Sequence, residues 1–189
     1  MDNKNTIPLL QLDGHINTYS GKKLNLLDPQ PEQICIRDIA RGLSYNSHFG
    51  GQTPKFFSIA QHCLLVCELM EPNLGNNPNL MMLGLLHDAS EAYLGDMLKP
   101  LKVMLPEFQK IENHMMSVIL KKYSLDVEML PIIKEADKLA QRLEYEAFYK
   151  NGPMRYWSPD AARLKFMNHF YIYLNQREWH LSENLEENS

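Results

Sequence analysis

Apolar residues recur at helical spacing along most of this 189-residue chain. From Glu32 onward, apolar side chains three and four positions apart form one stripe after another, the pattern of helices that each bury one face. Ser58 stands where a capping serine is expected, and Pro159 where a first-turn proline is well placed. Six helices are predicted, over about 32–43, 58–71, 79–95, 106–119, 126–149 and 158–175.

The segment before the first helix has a different pattern. Short apolar stretches in 7–31 flank a turn signal at 19–23, which predicts a small β-hairpin. No internal repeat or low-complexity linker divides the chain. We therefore predict a mainly α fold, a single compact helical bundle over 18–181, with an N-terminal extension at 1–17 and an acidic, disordered tail at 182–189.

Composition narrows the possible partners and the cellular compartment. The formal net charge of −4 argues against a dedicated nucleic-acid binder but leaves small nucleotides open. Cys63 and Cys67 lie four apart in an apolar pattern, which favours buried thiols over a disulfide framework. The N-terminus lacks the order of a signal peptide, and no apolar stretch approaches the length of a membrane span. We expect a cytoplasmic protein with no nucleic-acid or membrane partner.

Polar residues end the most apolar of these helices. The run 80–86 holds only leucine, methionine and one glycine, and it leads directly into His87 and Asp88, followed by Glu91 and Asp96. Taking ionised carboxylates out of water costs several kcal/mol or more unless a cation or a hydrogen-bond network compensates. A divalent metal site is the first interpretation, and a plain polar network is the alternative.

Two other helices also place a polar residue in an apolar stripe. These residues are His62 and Asp137. Taken alone, His62 would be a core histidine, and Asp137 would pair with Lys138 or Arg142. Taken together with the His-Asp pair, they offer two imidazoles and two carboxylates, a donor set suited to Mn²⁺, Co²⁺, Fe²⁺ or Zn²⁺.

The order of these residues resembles that of the HD-domain metal-dependent phosphohydrolases: a histidine, a His-Asp pair on a later helix, and a distant aspartate. The runs Ser-Ile-Ala-Gln-His at 58–62 and Leu-His-Asp-Ala-Ser-Glu-Ala-Tyr-Leu-Gly-Asp-Met at 86–97 are similar to the bacterial 5′-deoxynucleotidase branch and to small phage-type nucleotide hydrolases. The resemblance covers roughly residues 18–150, and it implies an HD-type helical bundle.

The resemblance also implies a role for each position of the motif. The metal ligands would be His62, His87, Asp88 and Asp137. Glu91 matches the carboxylate that orients or protonates groups at the phosphate, and Asp96 matches the acidic residue after the family's glycine. We therefore expect both to handle protons during catalysis.

A loop upstream of the motif supplies candidates for substrate binding. In the phage-type relatives this loop tends to read Arg-Phe-x-Gly-His-Thr, whereas here His48 and Gln52 replace the Arg and the His. His48 can still donate a hydrogen bond to a phosphate, as a pH-dependent cation. Phe49 is a candidate for stacking on a base. Lys99 and Lys102 are candidates for phosphate contact, with solvated surface lysines as the alternative.

The function that the resemblance implies is metal-dependent hydrolysis of a (deoxy)nucleoside 5′-monophosphate to nucleoside and phosphate. Two alternatives stay open: a deoxynucleoside triphosphate triphosphohydrolase, and a non-catalytic nucleotide-binding regulatory module. The substrate is expected to be a small-molecule nucleotide. Relatives of this kind commonly self-associate, so a homo-oligomer, a dimer or larger, is expected.

Overall fold

The computed structural model describes residues 14–186, and the side chains as far as Trp179. The described chain opens with a hairpin in which β1 (His15–Asn17) pairs antiparallel with β2 (Lys23–Asn25). Gly21, in the connecting turn, has a φ of +83°, a conformation that glycine adopts without steric cost. The predicted N-terminal hairpin is confirmed.

Helices make up most of the described chain beyond the hairpin. They are α1 (Ile36–Tyr45), α2 (Ile59–Leu74), α3 (Pro78–Leu86), α4 (Glu91–Leu94), α5 (Lys99–Met104), α6 (Pro106–Lys122), α7 (Leu130–Tyr149) and α8 (Pro159–Glu186). Helix α2 packs against α3 and α7, and α8 packs against α1 and α3, so their apolar stripes meet in one core. The predicted mainly α bundle is therefore confirmed.

Helix α2 lies at the centre of the packing and begins where the sequence predicts. The Ser58 side chain accepts a hydrogen bond from the Gln61 backbone N–H, which caps the helix. The prediction that the helix stops before Pro72 is wrong: α2 continues to Leu74, although Pro72 has no N–H to donate to the preceding turn. The Gly75 N–H still donates to the Glu71 carbonyl and completes the last turn. Within α2, Cys63 and Cys67 are buried free thiols, as predicted.

The predicted continuous helix over 79–95 is interrupted. Helix α3 ends at Leu86, residues 87–90 form a turn, and α4 begins at Glu91. The turn brings α4 against α1, where a side chain at Gly42 would collide with the backbone of Ala92. His87 and Asp88 therefore lie in a turn between two helices rather than on a helical face, and the absence of a Gly42 side chain permits that arrangement.

The two ends of the chain differ in part from the prediction. Helix α8 starts at Pro159 as expected, but it continues past Asn175 to Glu186, into the segment predicted as a disordered tail. The rest of that tail, 187–189, and residues 1–13 of the predicted extension lie outside the described residues. The division into extension, domain and tail stays a prediction. Among the described helices, none is both long and apolar enough to cross a membrane.

Candidate metal centre

Four polar side chains from three parts of the fold converge. His62 comes from α2, His87 and Asp88 from the turn after α3, and Asp137 from α7. The His62 Nε2 atom lies 3.1 Å from Asp137 Oδ1 and 3.6 Å from Asp88 Oδ2. The His87 Nε2 atom lies 3.2 Å from Asp88 Oδ2 and 3.9 Å from Asp137 Oδ1. All four predicted ligands are thus brought together.

The hydrogen bond of His87 to the backbone fixes which ring nitrogen carries the proton. Its Nδ1 lies 2.7 Å from the carbonyl oxygen of Gly84. A carbonyl oxygen can only accept, so Nδ1–H donates, and in the neutral ring Nε2 carries a lone pair. That Nε2 is buried and, among the described residues, has no hydrogen-bond partner. His87 therefore presents an acceptor atom to the Asp88 carboxylate.

His62 is held in the same way, but by a side chain. Its Nδ1 donates to Glu144 Oε1 at 2.8 Å, and both side chains are fully buried. Its Nε2 is also buried and has no hydrogen-bond partner in the described part of the chain, although it faces the oxygens of Asp137 and Asp88. Acceptor atoms thus face acceptor atoms across the cluster, an arrangement that repels unless a positive charge lies between them.

A divalent metal ion fits this donor set. Two ligands each about 2.1 Å from one ion, at tetrahedral or octahedral angles, are separated by roughly 3.0–3.4 Å. The closest nitrogen–oxygen separations in the cluster are 3.1 Å and 3.2 Å. His62, His87 and Asp137 form one group that could hold a metal ion, and His87 and Asp88 form another with Cys63. Imidazole and carboxylate together suit first-row divalent metals.

The ionisation of the metal-free site also reflects a need for positive charge. Burial alone would lower the pKa of His62 and of His87, but the facing carboxylates, Glu144 and Asp88 foremost, raise both pKa values well above the usual range. Burial would raise the pKa of Asp88, yet the neighbouring histidines hold it well below its ordinary value. The carboxylates therefore favour a positive charge on or between the two imidazoles, which protons or a divalent metal ion can supply.

The alternative explanation for Asp137 was a salt bridge to Lys138 or Arg142, but within the described residues its ion pairs are with His62 and His87. Lys138 pairs instead with Glu135 at 2.7 Å, on the solvent side of α7. The Asp137 carboxylate accepts a hydrogen bond from Gln141 at 2.8 Å and faces the histidines. Its side chain is 24% exposed and that of Asp88 is 27% exposed, so the cluster is accessible from solvent on the carboxylate side.

Glu91 lies beside the cluster and is only 6% exposed. Burial, together with the negative charges of Asp88 and Asp96, raises the pKa of Glu91 to about 9, although Lys102 acts in the opposite direction. The Lys102 ammonium lies 3.4 Å from Glu91 and 2.7 Å from Glu112. Glu91 therefore carries a proton near neutral pH, as a proton donor requires.

Asp96 connects the motif to the upstream loop. It follows Gly95, whose φ of +81° ends α4, and its Oδ2 accepts a hydrogen bond from the Gly50 backbone N–H at 3.0 Å. The negative charge of Asp96 also contributes to the raised pKa of Glu91. The contact that the structure gives this predicted catalytic residue is thus a structural one, which fixes the loop at the edge of the site.

His48 is more buried than a phosphate clamp on an open surface would be, with 8% of its area exposed. Its backbone N–H donates to the Phe57 carbonyl, and its Nδ1 lies 3.3 Å from Glu144 Oε2. Its ring centroid is 4.4 Å from that of His62. His48 is therefore packed directly against a predicted metal ligand.

The other two predicted substrate-binding residues, Phe49 and Lys99, lie in different surroundings. Phe49 has a φ of +56° and packs edge-on against Phe148, with ring centroids 5.7 Å apart. Lys99 is exposed at the start of α5. The lysine of α5 that reaches the polar cluster is Lys102, through Glu91.

Two relatives show where the chain belongs. An uncharacterized protein of Rhodobacter capsulatus, RCAP_rcc00048, is 38% identical over 135 residues, which cover 67% of this chain and 69% of that protein. The chain belongs to the family of this protein. The uncharacterized protein YfdR of Escherichia coli is 36% identical over 122 residues, 65% of each chain. The matched part thus spans about two thirds of the length of these relatives. No protein-family model matches the chain.

Glu144 belongs to the site but is not among the residues that the sequence pattern predicts. It follows Asp137 by seven positions, two helical turns, so the argument that places Asp137 in the buried stripe of α7 applies equally to Glu144. The second omission is the contact of Lys102 with Glu112, which lies on α6. Ion pairs between helices leave no comparable periodic signal.

Proposed function

We propose that the protein hydrolyses a (deoxy)nucleoside 5′-monophosphate to nucleoside and phosphate, in a reaction that depends on a divalent metal ion. The observation that carries this proposal is the set of acceptor atoms on His62, His87, Asp88 and Asp137, which face one another and need a cation between them. The order of the motif residues along the chain, which resembles that of the HD-domain phosphohydrolases, supports the nucleotide as substrate.

The metal ligands have separate tasks in this proposal. A bound divalent ion supplies a Lewis acid that polarises the phosphoryl group and acidifies water. His62 and His87 would hold such an ion through Nε2, because their Nδ1 atoms are engaged by Glu144 and Gly84. The partly exposed Asp88 and Asp137 leave the opposite side open to a substrate phosphate.

Glu91 supplies the proton that the leaving 5′-oxygen needs. A carboxylic acid that keeps its proton can donate it to an alkoxide as it departs, and the burial of Glu91, the largest cause of its raised pKa, favours that form. Lys102 keeps a positive charge 3.4 Å from the Glu91 carboxyl, which favours the carboxylate once the proton has left. Asp96 holds the adjacent loop and contributes charge rather than direct contact.

A cavity of about 320 Å³ beside the cluster gives the substrate room. His87 and Asp137 form its inner side, the apolar wall comes from Leu130, Pro131 and Ile133, and Lys134 adds a positive charge. Ligand sites typically combine an apolar wall with a few polar groups and have volumes of about 300–1,000 Å³. The cavity therefore suits a mononucleotide, with its base on the apolar wall and its phosphate near the metal ligands.

The test is a panel of nucleoside 5′-monophosphates, 2′-deoxynucleoside 5′-monophosphates and deoxynucleoside triphosphates. Each is incubated with chelator-treated protein, alone and with added Mn²⁺, Co²⁺, Fe²⁺ or Zn²⁺, and the products are separated by chromatography. The proposal expects nucleoside and orthophosphate from monophosphates, only when metal is present.

Two other results would contradict it. Release of triphosphate from deoxynucleoside triphosphates, with monophosphates left intact, would assign the protein to triphosphohydrolases. Tight nucleotide binding without turnover under any of the four metals would make it a binding module.

A further inference from the structure

Glu144 is a charged residue that is fully buried in α7, and its two oxygens face two histidines. Oε1 accepts from His62 Nδ1 at 2.8 Å. Oε2 lies 3.3 Å from His48 Nδ1, an ion-pair distance, although neither of these two atoms forms a hydrogen bond within the described part of the chain. The His48 and His62 rings are 4.4 Å apart. An ionised carboxylate in the core needs such partners, since burying it alone costs several kcal/mol or more.

We propose that Glu144 is a positioning residue that fixes His62, on the metal side, and His48, on the substrate side, so that one buried carboxylate couples the two. The assignment of His48 to the substrate side rests on the proposed function. The contact between Glu144 and the predicted metal ligand His62 does not depend on that function.

On the metal side, the contact determines how His62 binds. A proton held on Nδ1 leaves the Nε2 lone pair free, and a carboxylate acceptor both orients the ring and makes Nε2 a stronger ligand. His87 obtains the same orientation from a backbone carbonyl, which carries no charge. Glu144 is thus the charged member of the two groups that orient the imidazoles, and it lies on a different helix from the ligand it holds.

On the substrate side, His48 begins a loop that several contacts hold in place. Asp96 accepts from the Gly50 N–H, and the Tyr149 hydroxyl donates to the Gln52 carbonyl. Glu144 adds the contact to the His48 side chain itself. With Nδ1 turned toward Glu144, the atom of His48 left for a substrate phosphate is Nε2.

A second metal site is the competing explanation, because His48, His62 and Glu144 also form a group that could hold an ion. The 2.8 Å separation between His62 Nδ1 and Glu144 Oε1 is that of a charge-assisted hydrogen bond. The geometry therefore favours a proton over a metal ion between these two atoms.

The first experiment compares Glu144→Gln with Glu146→Gln, the same change at an exposed position of the same helix. Both variants are stripped of metal, checked by far-ultraviolet circular dichroism and titrated with Co²⁺. We expect Glu144→Gln to bind one ion roughly 10–100-fold more weakly than wild type, with an altered d–d absorption spectrum, and Glu146→Gln to match wild type. Unchanged affinity in Glu144→Gln overturns the proposal. So does wild-type binding of two ions per chain that falls to one in this variant.

A second measurement needs no variant and covers the case in which Glu144→Gln does not fold. Long-range ¹H–¹⁵N spectra of the histidine rings in wild-type protein report which nitrogen carries the proton. We expect His62 as the Nδ1–H form with metal bound at Nε2. A proton on His62 Nε2, or metal at Nδ1, contradicts the proposal. Neither experiment uses nucleotide turnover, so each can fail or succeed independently of the proposed function.

The coupling to His48 is tested on metal-saturated protein. We expect Glu144→Gln and His48→Gln each to raise KM for the nucleotide, and the double variant to raise it no further than the larger single effect, because residues that act through one another are not additive. Fully additive effects would separate His48 from Glu144 and overturn that half of the proposal.

Discussion

Glu144 and Glu91 are both buried glutamates beside the same cluster, yet they have opposite charge states. Burial alone would raise the pKa of Glu144, but His62 and His48 lower it to about 2. Burial and the carboxylates of Asp88 and Asp96 raise the pKa of Glu91 to about 9, against the opposing effect of Lys102. The charges of the neighbouring side chains, rather than the extent of burial, account for the difference between the two pKa values.

The difference indicates how one site can serve two purposes. An ionised carboxylate can hold the Nδ1–H of a metal ligand, which a neutral acid does less well. A neutral acid can donate a proton at neutral pH, which an ionised carboxylate cannot. Two residues of the same type thus differ in charge state because of their neighbours, as paired carboxylates do in known hydrolases.

The largest expected effect comes from Asp88, whose negative charge acts on both His62 and Glu91. In Asp88→Asn, one predicted ligand is lost and a negative charge that raises the pKa of Glu91 is removed. We expect metal binding and metal-dependent turnover to fall below detection, while far-ultraviolet circular dichroism keeps the wild-type helical signal. Asp28→Asn, at an exposed position of the N-terminal region, is the matched control and should behave as wild type. Native metal affinity in Asp88→Asn would show that Asp88 is not a ligand.

The helices and the site residues show which parts of the structure can be predicted from the sequence. The helices were predictable because apolar stripes repeat at helical spacing, and His62 and Asp137 were noticed because each interrupts such a stripe. The break at 87–90 was not predictable, since it depends on the close approach of α4 to Gly42 across the fold. The length of α8 was underestimated because its polar C-terminal part has no clear apolar stripe.

Within the site, the sequence identified residue types but not their orientation. His48 was expected to face a phosphate, whereas its Nδ1 faces Glu144. Lys99 and Lys102 are both predicted candidates for phosphate contact, but Lys99 is exposed and Lys102 lies between two carboxylates. Both differences arise from contacts between residues that are distant along the chain, which spacing on one helix does not report.

The next prediction compares Glu91→Gln with Glu144→Gln, which should lose different properties. Glu91→Gln removes the proton donor but none of the metal-facing atoms, so we expect turnover to fall by about 10²–10⁴-fold at unchanged Co²⁺ affinity. Glu144→Gln should show the reverse: weaker Co²⁺ binding, with turnover restored in large part at saturating metal. Steady-state kinetics over a metal titration measures both. Equal loss of affinity in the two variants would abolish the distinction between their roles.

Metal removal should expose a smaller difference, in thermal stability. An ion at 100 times its Kd stabilises the folded state by about 2.7 kcal/mol, which corresponds to roughly 5–10 °C in Tm for a chain of this size. We expect differential scanning fluorimetry to show this gap between Mn²⁺-loaded and chelated wild-type protein. At one fixed Mn²⁺ concentration the gap should shrink in Glu144→Gln and persist in Glu91→Gln. A gap that is identical in all three proteins would mean that Glu144 does not support the metal ligands.

The smallest effect is a pair of opposite pH slopes in the metal-free protein. Glu91 has a folded pKa of about 9, above its unfolded value, so its contribution to stability falls as pH rises from the unfolded pKa to about 9. Glu144 has a folded pKa of about 2, below its unfolded value, so its contribution is present at neutral pH and is lost as pH falls toward 2.

Relative to wild type, Glu91→Gln should therefore gain stability as the pH rises from 5 to 8. Glu144→Gln should lose least near pH 3 and most near neutrality. Urea unfolding at each pH measures these changes, with a limiting slope of about 1.4 kcal/mol per pH unit for one group. Slopes of the same sign in both variants would mean that the two carboxyls share one charge state, and the assignment of separate roles would fail.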